Sequence, residues 1–566
     1  MLTSIIPEVL QPIAPVLTQY LNPLLSWASQ YILQQLVTKH RHHPLIRLHD
    51  LLDFSKLEQA CANYHETGGP GRPVTHTVPK LLRLLFLRYW HDLSLRRSEE
   101  HLCFNSLARW FVGYDLHEPT PDHTTLHRFE VYLYTHHCSL FFNTILSQID
   151  ATLDDDHGQI QIGDTFALRA CAAMETIIQR LRHSSYQLLR AWESDDPVGY
   201  TAAYPQLDSL ALFGLKTEKR EFFLAREEWQ ERLRLTVQAI EGLLTLLPPT
   251  DQSSSVMQRR QAHLQKIIAD ELQAVHDTAG AVVAVSFLSA KKRGKFRICS
   301  ATDPEATIRN HGDNKKDFGY NVSVATTPDF IRAIQADTGS TSDVAPIPDL
   351  LTVQSERGDP LPQKLIYDQV AGYGKTAHEV AVASDGQTQL VAYPMPPKKS
   401  ETFAPEAFAL SDDALWLTCP NRRMTNRRYR SGSGDGWTFR FLPAQCLGCP
   451  LLLACRGSDK SPTTHRDVFI SDYRPNYDQL VAYSQTDDFK LDMRLRPQVE
   501  RVIAGLVLHN GARYAHFRGQ VKVDFQVKMC ATVYNARHWL VRLDEIAGRR
   551  RRPERRRWEL PTPSWA

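Results

Sequence analysis

The stretch IQIGDTFAL, residues 160–168, decides the fold class of this chain. Its apolar side chains recur at every second position, which predicts a β-strand with one face packed against a core. Asp164 falls on that apolar face. A carboxylate in such a place must be paired, protonated or bound to a metal, because burying it alone is costly. Asp164 is therefore the first candidate site residue.

Two further acids occupy similar positions downstream. Residues 365–368 (LIYD) are a short apolar run that ends in Asp368, as a buried parallel strand would. Glu500 lies in a predicted helix, on a face that it shares with three apolar residues. Those residues are Ile503, Ala504 and Val507. Each acid alone fits a salt-bridged structural role, whereas the three together predict a site for hard divalent cations.

Length and composition describe a globular protein of several domains. The chain has 566 residues, of which 42% are hydrophobic and 23% charged. A chain of this length has room for roughly three or four domains. It has no apolar run of about 18 residues, and its N-terminus lacks the basic region of a secretion signal. We therefore expect a cytoplasmic protein without membrane spans.

Positive charge is concentrated at the C-terminus. The net charge is only +3, but residues 549–557 contain seven arginines. We expect this basic tail to lie along DNA phosphates, with Arg549, Arg550, Arg551 and Arg552 in contact. A solvated end without a role is the alternative.

Residues 78–150 form a predicted helical domain. Ser94 and Asp122 are placed to cap the N-termini of two of its helices. The helix after Asp122 carries polar residues that suit a helix-turn-helix-like DNA reader. These residues are His123, Thr124, Thr125 and Arg128. An ordinary helical bundle fits the same pattern.

An α/β domain is predicted beyond residue 150. Residues 172–280 form a mainly helical insertion, after which strand patterns return at 320–325 and 330–336. Further strands then alternate with helices, which predicts an α/β layered domain with a mixed sheet. Lys315 and Lys316 lie in a basic loop before these strands, where they could follow a nucleic-acid backbone or be solvated.

Residues 394–490 differ in composition, being rich in proline and cysteine. Four cysteines cluster there, with a spacing that suits tetrahedral thiolate ligation of zinc. They are Cys419, Cys446, Cys449 and Cys455. Four thiolates would make the ion structural, and a reduced cluster without metal is the alternative.

Motifs along the chain resemble those of a known family. They are PDHTTLHRF (121–129), GDTFALRA (163–170), SATDPEA (300–306), DFGYNVSVA (317–325), DQVAGYGK (368–375) and RPQVERVIAGLVLHNGARYAHFRG (496–519). In this order, and with the cysteine cluster, they resemble bacterial insertion-sequence transposases of the DDE type, whose catalytic domain is ribonuclease-H-like. The resemblance covers roughly residues 78–540.

The resemblance implies a catalytic site and its cofactors. Carried over residue by residue, the family's three acids are Asp164, Asp368 and Glu500, which bind two Mg²⁺ (or Mn²⁺) ions. The ions serve cleavage of the transposon ends and strand transfer by in-line phosphoryl transfer. Arg496 matches a family arginine that contacts DNA. Met493 and Val507 stand where relatives often carry a Tyr and a Lys that grip the transposon end.

The resemblance also implies the partners. We expect double-stranded DNA, namely transposon ends and target, a homodimer on DNA, and association with the nucleoid. Two alternatives remain at this point: a catalytically inactive DNA-binding protein derived from a transposase, and a metal-dependent nuclease unrelated to transposition.

These patterns divide the chain into five parts. They are an N-terminal helical segment (1–77), a helical DNA-binding domain (78–150), a ribonuclease-H-like catalytic domain (151–393 and 491–545), a cysteine-rich insertion (394–490) and a basic tail (546–566).

Overall fold

The computed structural model describes residues 14–65, 75–153, 159–310, 316–396, 402–457 and 464–548. The chain begins with a run of helices, and those from residue 44 onward pack their apolar sides together. These helices are α1 (Ala14–Lys39), α2 (Pro44–Leu51), α3 (Ser55–Ala60), α4 (Val78–Trp90), α5 (Leu95–Phe104), α6 (Ser106–Val112), α7 (His123–His136) and α8 (Leu140–Thr152).

Both predicted helix caps are confirmed. Ser94 Oγ accepts a hydrogen bond from the backbone N–H of Arg97 at 3.3 Å, at the start of α5. Asp122 Oδ1 accepts one from the backbone N–H of Thr125 at 2.7 Å, at the start of α7. Each cap satisfies one of the amide groups that the first turn of a helix leaves unpaired.

Helix α4 lies at the centre of the bundle rather than on its surface. It is buried almost all round, and even Arg88 is buried, in an ion pair with the buried carboxylate of Glu130. Tyr89 donates a hydrogen bond to the same carboxylate at 3.0 Å. Removing either partner of a buried pair of this kind leaves an uncompensated charge, which is strongly destabilising.

Residues 160–168 lie within strand β1 (Ile160–Arg169), as predicted. A largely helical insertion with its own apolar core follows it. It comprises α9 (Ile177–Asp195), α10 (Pro197–Ala203), α11 (Ser209–Phe213), α12 (Arg226–Leu246), α13 (Ser255–Glu271), β2 (Leu272–His276) and β3 (Val282–Phe287). Residues 272–276 were predicted as helix, which is wrong, because they pair with β3 in an antiparallel hairpin.

The main sheet is completed by later strands and their helices. They are β4 (Thr307–Asn310), β5 (Lys316–Thr326), β6 (Ile331–Thr338), α14 (Ile347–Arg357), β7 (Lys364–Ile366), α15 (Gly374–Ala383) and β8 (Gln389–Val391). The strand order is β4-β5-β1-β7-β8, and β6 also pairs with β5. Strands β1 and β6 run antiparallel to β5, whereas β1, β7 and β8 run parallel to one another. The predicted mixed α/β sheet is confirmed.

A cysteine-rich part with a small core of its own follows the sheet. It comprises β9 (Ala409–Leu410), β10 (Leu417–Thr418), β11 (Met424–Thr425), β12 (Arg428–Arg430), β13 (Gly436–Phe441), α16 (Pro443–Cys446), α17 (Leu452–Arg456), β14 (Arg466–Ser471) and α18 (Arg474–Ser484). The chain then returns to the main sheet with α19 (Asp487–Met493), α20 (Pro497–His509) and α21 (Gln520–Ile546).

The two faces of the main sheet pack against different helices. On one face, Ile162, Phe166 and Leu168 join α20, α21 and the N-terminal helices in one continuous core. On the other face, Leu365 and Tyr367 pack against α14 and α15. The boundary predicted near residue 150 is thus crossed by a single core. In the described part of the chain, no helix is both long and apolar enough to cross a membrane.

Candidate active site

The sheet brings Asp164 and Asp368 side by side. Strands β1 and β7 are parallel neighbours in which Ile162 lies opposite Ile366, so continuing this register by two residues sets Asp164 beside Asp368. Asp368 directly follows β7, where it caps a short 3-10 helix (Gln369–Ala371) and accepts a hydrogen bond from the Val370 N–H at 3.2 Å. Both carboxylates therefore emerge at the same edge of the sheet, on the side of β1 that carries Ile162.

Burial and mutual repulsion act on this acid pair. Burial is the main cause that raises the pKa of Asp164, and the charge of Asp368 raises it further. Burial likewise raises the pKa of Asp368. Two half-buried carboxylates that disfavour each other's charge create a place where a cation is stabilised.

Arg496 links Asp164 to the third predicted acid. It lies immediately before α20, and its Nη2 is 3.3 Å from Asp164 Oδ2 while its Nη1 is 2.8 Å from Glu500 Oε1. Its Nε is buried and has no hydrogen-bond partner among the described residues. The guanidinium thus lies between two of the three acids and compensates part of their charge.

The predicted position of Glu500 on a buried face is wrong. The buried residues of α20 are Val499, Val502 and Leu506, while the side chain of Glu500 is 59% exposed. Apolar residues of α20 lie on more than one side of the helix. The side that packs against the core is next to Glu500 and does not include it. The carboxylate consequently lies at the flank of the helix, toward Arg496.

A glycine and a tyrosine support the two aspartates from the opposite face. A Cβ atom added to Gly163 would lie 1.9 Å from Cε2 of Tyr367. Tyr367 is 2% exposed, and its hydroxyl has no hydrogen-bond partner within the described part of the chain. Sequence reasoning missed both residues, although a glycine inside a strand is a known signal of close approach.

A fourth carboxylate lies near the site and was also missed. Asp343 Oδ1 accepts hydrogen bonds from Arg309 Nη2 at 3.0 Å and from Asn321 Nδ2 at 2.9 Å. The same Arg309 nitrogen is 2.7 Å from the hydroxyl of Thr165, next to Asp164. Burial is the main cause that raises the pKa of Asp368, while Arg496 and a backbone amide lower it. The charge of Asp343 raises this pKa further. No motif or periodicity in the sequence marks this residue.

The acids are near one another without forming a closed set of ligands. Within the ranges that the structure describes, no group of three or more His, Cys, Asp or Glu side chains is arranged as a metal site. The guanidinium of Arg496 takes up the space between Asp164 and Glu500.

The predicted DNA-reading residues lie in the first turns of α7. His123 Nδ1 is 2.8 Å from Glu99 Oε2, and the Thr124 hydroxyl donates to Asp122 at 2.9 Å. The backbone of Thr125 takes part in the cap, and Arg128 is exposed one turn later.

Apart from Arg496, the structure describes only Lys316 among the other residues predicted to contact DNA. Lys316 is exposed at the first position of β5. Lys315, Arg549, Arg550, Arg551 and Arg552 lie outside the described residues. Contact with DNA therefore stays a prediction for all of them.

The four predicted zinc ligands come from two turns and a short helix. The Arg422 N–H donates to the carbonyl of Cys419 at 2.8 Å, and the Cys449 N–H donates to that of Cys446 at 3.2 Å. Burial raises the pKa of Cys455, and the other three thiols raise it further. Among the described residues the four cysteines do not form a group arranged as a metal site, so zinc binding stays a prediction.

Two family models match the chain. A transposase domain model (DUF772) matches residues 32–131, which contain the start of α7, and a transposase DDE domain model matches residues 418–540, which contain Arg496 and Glu500. No curated protein and no solved structure shows a significant match. Both matches are to transposase models, and together they support an insertion-sequence transposase of the DDE type.

Proposed function

We propose that Asp164, Asp368 and Glu500 hold a pair of divalent cations, Mg²⁺ or Mn²⁺, with which the chain cuts transposon ends and joins them to target DNA. The observation that carries this proposal is the register of β1 and β7, which sets two half-buried aspartates side by side. Arg496 lies immediately before the helix that carries Glu500. Its guanidinium contacts Asp164 and Glu500 and compensates part of their charge.

The donor set fits such ions chemically. Carboxylate oxygens are the ligands that Mg²⁺ and Mn²⁺ prefer. The repulsion between Asp164 and Asp368 would be relieved by a cation placed between them. When bound, the ions would supply activation of the attacking oxygen and stabilisation of the leaving 3′-oxygen.

Arg496 has two roles in this proposal. Without metal it neutralises Asp164 and Glu500. When cations compensate these acids instead, its guanidinium is released to donate hydrogen bonds to a DNA phosphate, for which its planar fork is suited. Arg496 would therefore take part in DNA binding only when the site is loaded.

The order of the strands supports a ribonuclease-H-like assignment of the catalytic domain. Leaving out the short β4, Asp164 lies on the first strand of the main sheet and Asp368 follows the fourth. Glu500 lies on a helix after an insertion, as in the transposases that the motifs resemble. Met493 and Val507 are half-buried and pack against the core, so neither replaces the phosphate-gripping side chains found in many relatives.

We further propose that α7 reads DNA with His123, Thr124, Thr125 and Arg128. This is supported by the position of these residues in the first turns of a helix that is capped by Asp122 and lies within the matched transposase domain. DNA phosphates would be contacted by Lys315, Lys316 and the arginine tail. The protein would act as a homodimer on transposon ends, in the nucleoid.

Structural zinc in the cysteine-rich part is a further element of the proposal. It is supported by the two hydrogen-bonded turns that begin at Cys419 and Cys446, and by the electrostatic coupling of all four thiols. Gly448 has a φ of +68°, a left-handed conformation that glycine adopts without strain, between Cys446 and Cys449. The ion would cross-link segments whose own core is small.

Substitution of the acids tests the catalytic proposal. Asp164→Ala, Asp368→Ala and Glu500→Ala should each lower Mg²⁺-dependent cleavage of a plasmid that carries the element's ends by at least about a hundredfold. Binding of end DNA in EDTA should stay close to wild type. Glu356→Ala, at an exposed acid of α14, is the matched control and should cleave normally. Normal cleavage by one of the three variants would remove that residue from the site.

A further inference from the structure

A basic cleft lies between the helical insertion and the N-terminus of α21. It has a volume of about 420 Å³ and is open to solvent. Residues of α13 form one wall; the other is formed by the loop at 302–305 and by residues 518–522, which include the start of α21. Its charged and titratable lining includes Arg259, Arg260, His263, Asp303, Arg518 and Lys522.

The cations of this cleft have no acidic partner. Arg259, Arg260, Arg518 and Lys522 form no ion pair among the described residues, whereas the insertion pairs Arg180 with Glu271 and Arg182 with Glu218. Burial lowers the pKa of Arg260, and the charge of Arg259 lowers it further. The cleft therefore gathers four cations that form no ion pair in the described part of the chain, next to the carboxylates of Asp303 and Glu305.

The two acids of the cleft, Asp303 and Glu305, accept hydrogen bonds from other parts of the chain. Asp303 Oδ1 accepts hydrogen bonds from the Tyr320 hydroxyl at 2.7 Å and from the Gly519 N–H at 3.1 Å. Glu305 Oε2 accepts one from the Gln520 N–H at 2.5 Å. These acids hold the start of α21 against β5; burial raises the pKa of Asp303, while its hydrogen bonds with Tyr320 and Gly519 lower it.

A histidine adds a neutral donor to the cleft. His263 is half-buried, and its Nδ1 has no hydrogen-bond partner in the part of the chain that the structure describes. Burial, together with Arg260 and Arg259, lowers its pKa. An uncharged imidazole can still donate a hydrogen bond to a phosphate oxygen.

We propose that this cleft binds neighbouring backbone phosphate groups of the substrate DNA, at a distance from the catalytic acids. The inference rests on the proposed function. Tyr320, whose hydroxyl contacts Asp303, lies opposite Leu168, four residues along β1 from Asp164. Four residues of strand span about 13 Å. About four base pairs of duplex cover the length of strand between Asp164 and Leu168.

Salt-dependent DNA binding tests this site. We compare the Arg260→Ala/Lys522→Ala double variant with Lys266→Ala/Arg190→Ala, which removes the same charge from exposed, ion-paired positions of the insertion. The probe is a labelled 40-base-pair duplex, titrated in EDTA over a range of KCl concentrations. Each lost phosphate contact flattens the slope of log affinity against log salt by about 0.9. The cleft variant should therefore lose about 2 and the control variant little.

One further variant and a calorimetric measurement distinguish the possible outcomes. Arg518→Ala, at an exposed position, should lose about 1 in slope and keeps the test decisive if the double variant unfolds. Wild-type slopes in the folded cleft variants would overturn the proposal. So would calorimetric binding of inorganic phosphate by the cleft with no change in the DNA slope, because the cleft would then serve a free anion. Failure of the wild-type protein to bind any duplex would instead contradict the proposed function.

Discussion

The replacement Gly163→Ala should damage both the stability of the catalytic sheet and its activity. The new methyl group would lie 1.9 Å from Cε2 and 2.6 Å from Cζ of Tyr367. The tyrosine ring has no free space to enter, because it is almost fully buried against α14 and α15. Tyr367 and Gly163 are the chain neighbours of Asp368 and Asp164, so any movement that relieves the overlap displaces the proposed ligands.

The size of the effect follows from core overpacking. One extra carbon in a well-packed core lowers the free energy of unfolding by about 1–3 kcal/mol. The same substitution at Gly242, an exposed position of α12 with no atom within 4 Å, should act in the opposite direction. Alanine in the middle of a helix is more favourable than glycine by about 0.5–1 kcal/mol.

Urea unfolding and cleavage assays measure the two consequences. Gly163→Ala should lower the unfolding midpoint and cleavage by an order of magnitude or more, whereas Gly242→Ala should raise the midpoint slightly and leave cleavage unchanged. In a Tyr367→Leu background, where the ring is absent, Gly163→Ala should have a smaller effect on stability. A Gly163→Ala protein as stable and active as wild type would refute the packing argument.

Two other predictions concern sites outside the sheet. Burial lowers the pKa of His91 to about 4, so its contribution to stability is complete above the unfolded pKa near 6.5 and is lost as the pH falls toward 4. His91→Gln should therefore lose less stability than wild type between pH 6.5 and 4 in thermal unfolding, and an unchanged pH profile would contradict this. Cys449→Ser should lower the zinc content and the order of the cysteine-rich part, whereas Cys103→Ser, at an exposed cysteine outside the cluster, should not. Elemental analysis of protein purified without chelator checks this, and a wild-type protein without zinc would end the zinc proposal.

The sequence by itself determined the elements that depend on local order. The period-two pattern of residues 160–168 predicted β1, and Ser94 and Asp122 were found as helix caps, because both signals act within a few residues. The ordered motifs also indicated the DDE transposase family, which the two domain models support. The positions of Asp164 on β1 and of Asp368 just after β7 followed from the same local signal, whereas their catalytic role stays a prediction.

Only the tertiary structure decided how these elements meet. Arg496 contacts Asp164 across 332 positions of sequence, and Asp343 approaches the site through Arg309, with no local pattern to mark either contact. The exposure of Glu500 depended on which of two apolar arcs of α20 faces the core. Periodicity states which side chains share a face, but strand register and helix packing determine what each face touches. For that reason the positions of Asp164 and Asp368 could be predicted from the sequence, whereas the contact of Arg496 with Asp164 could not.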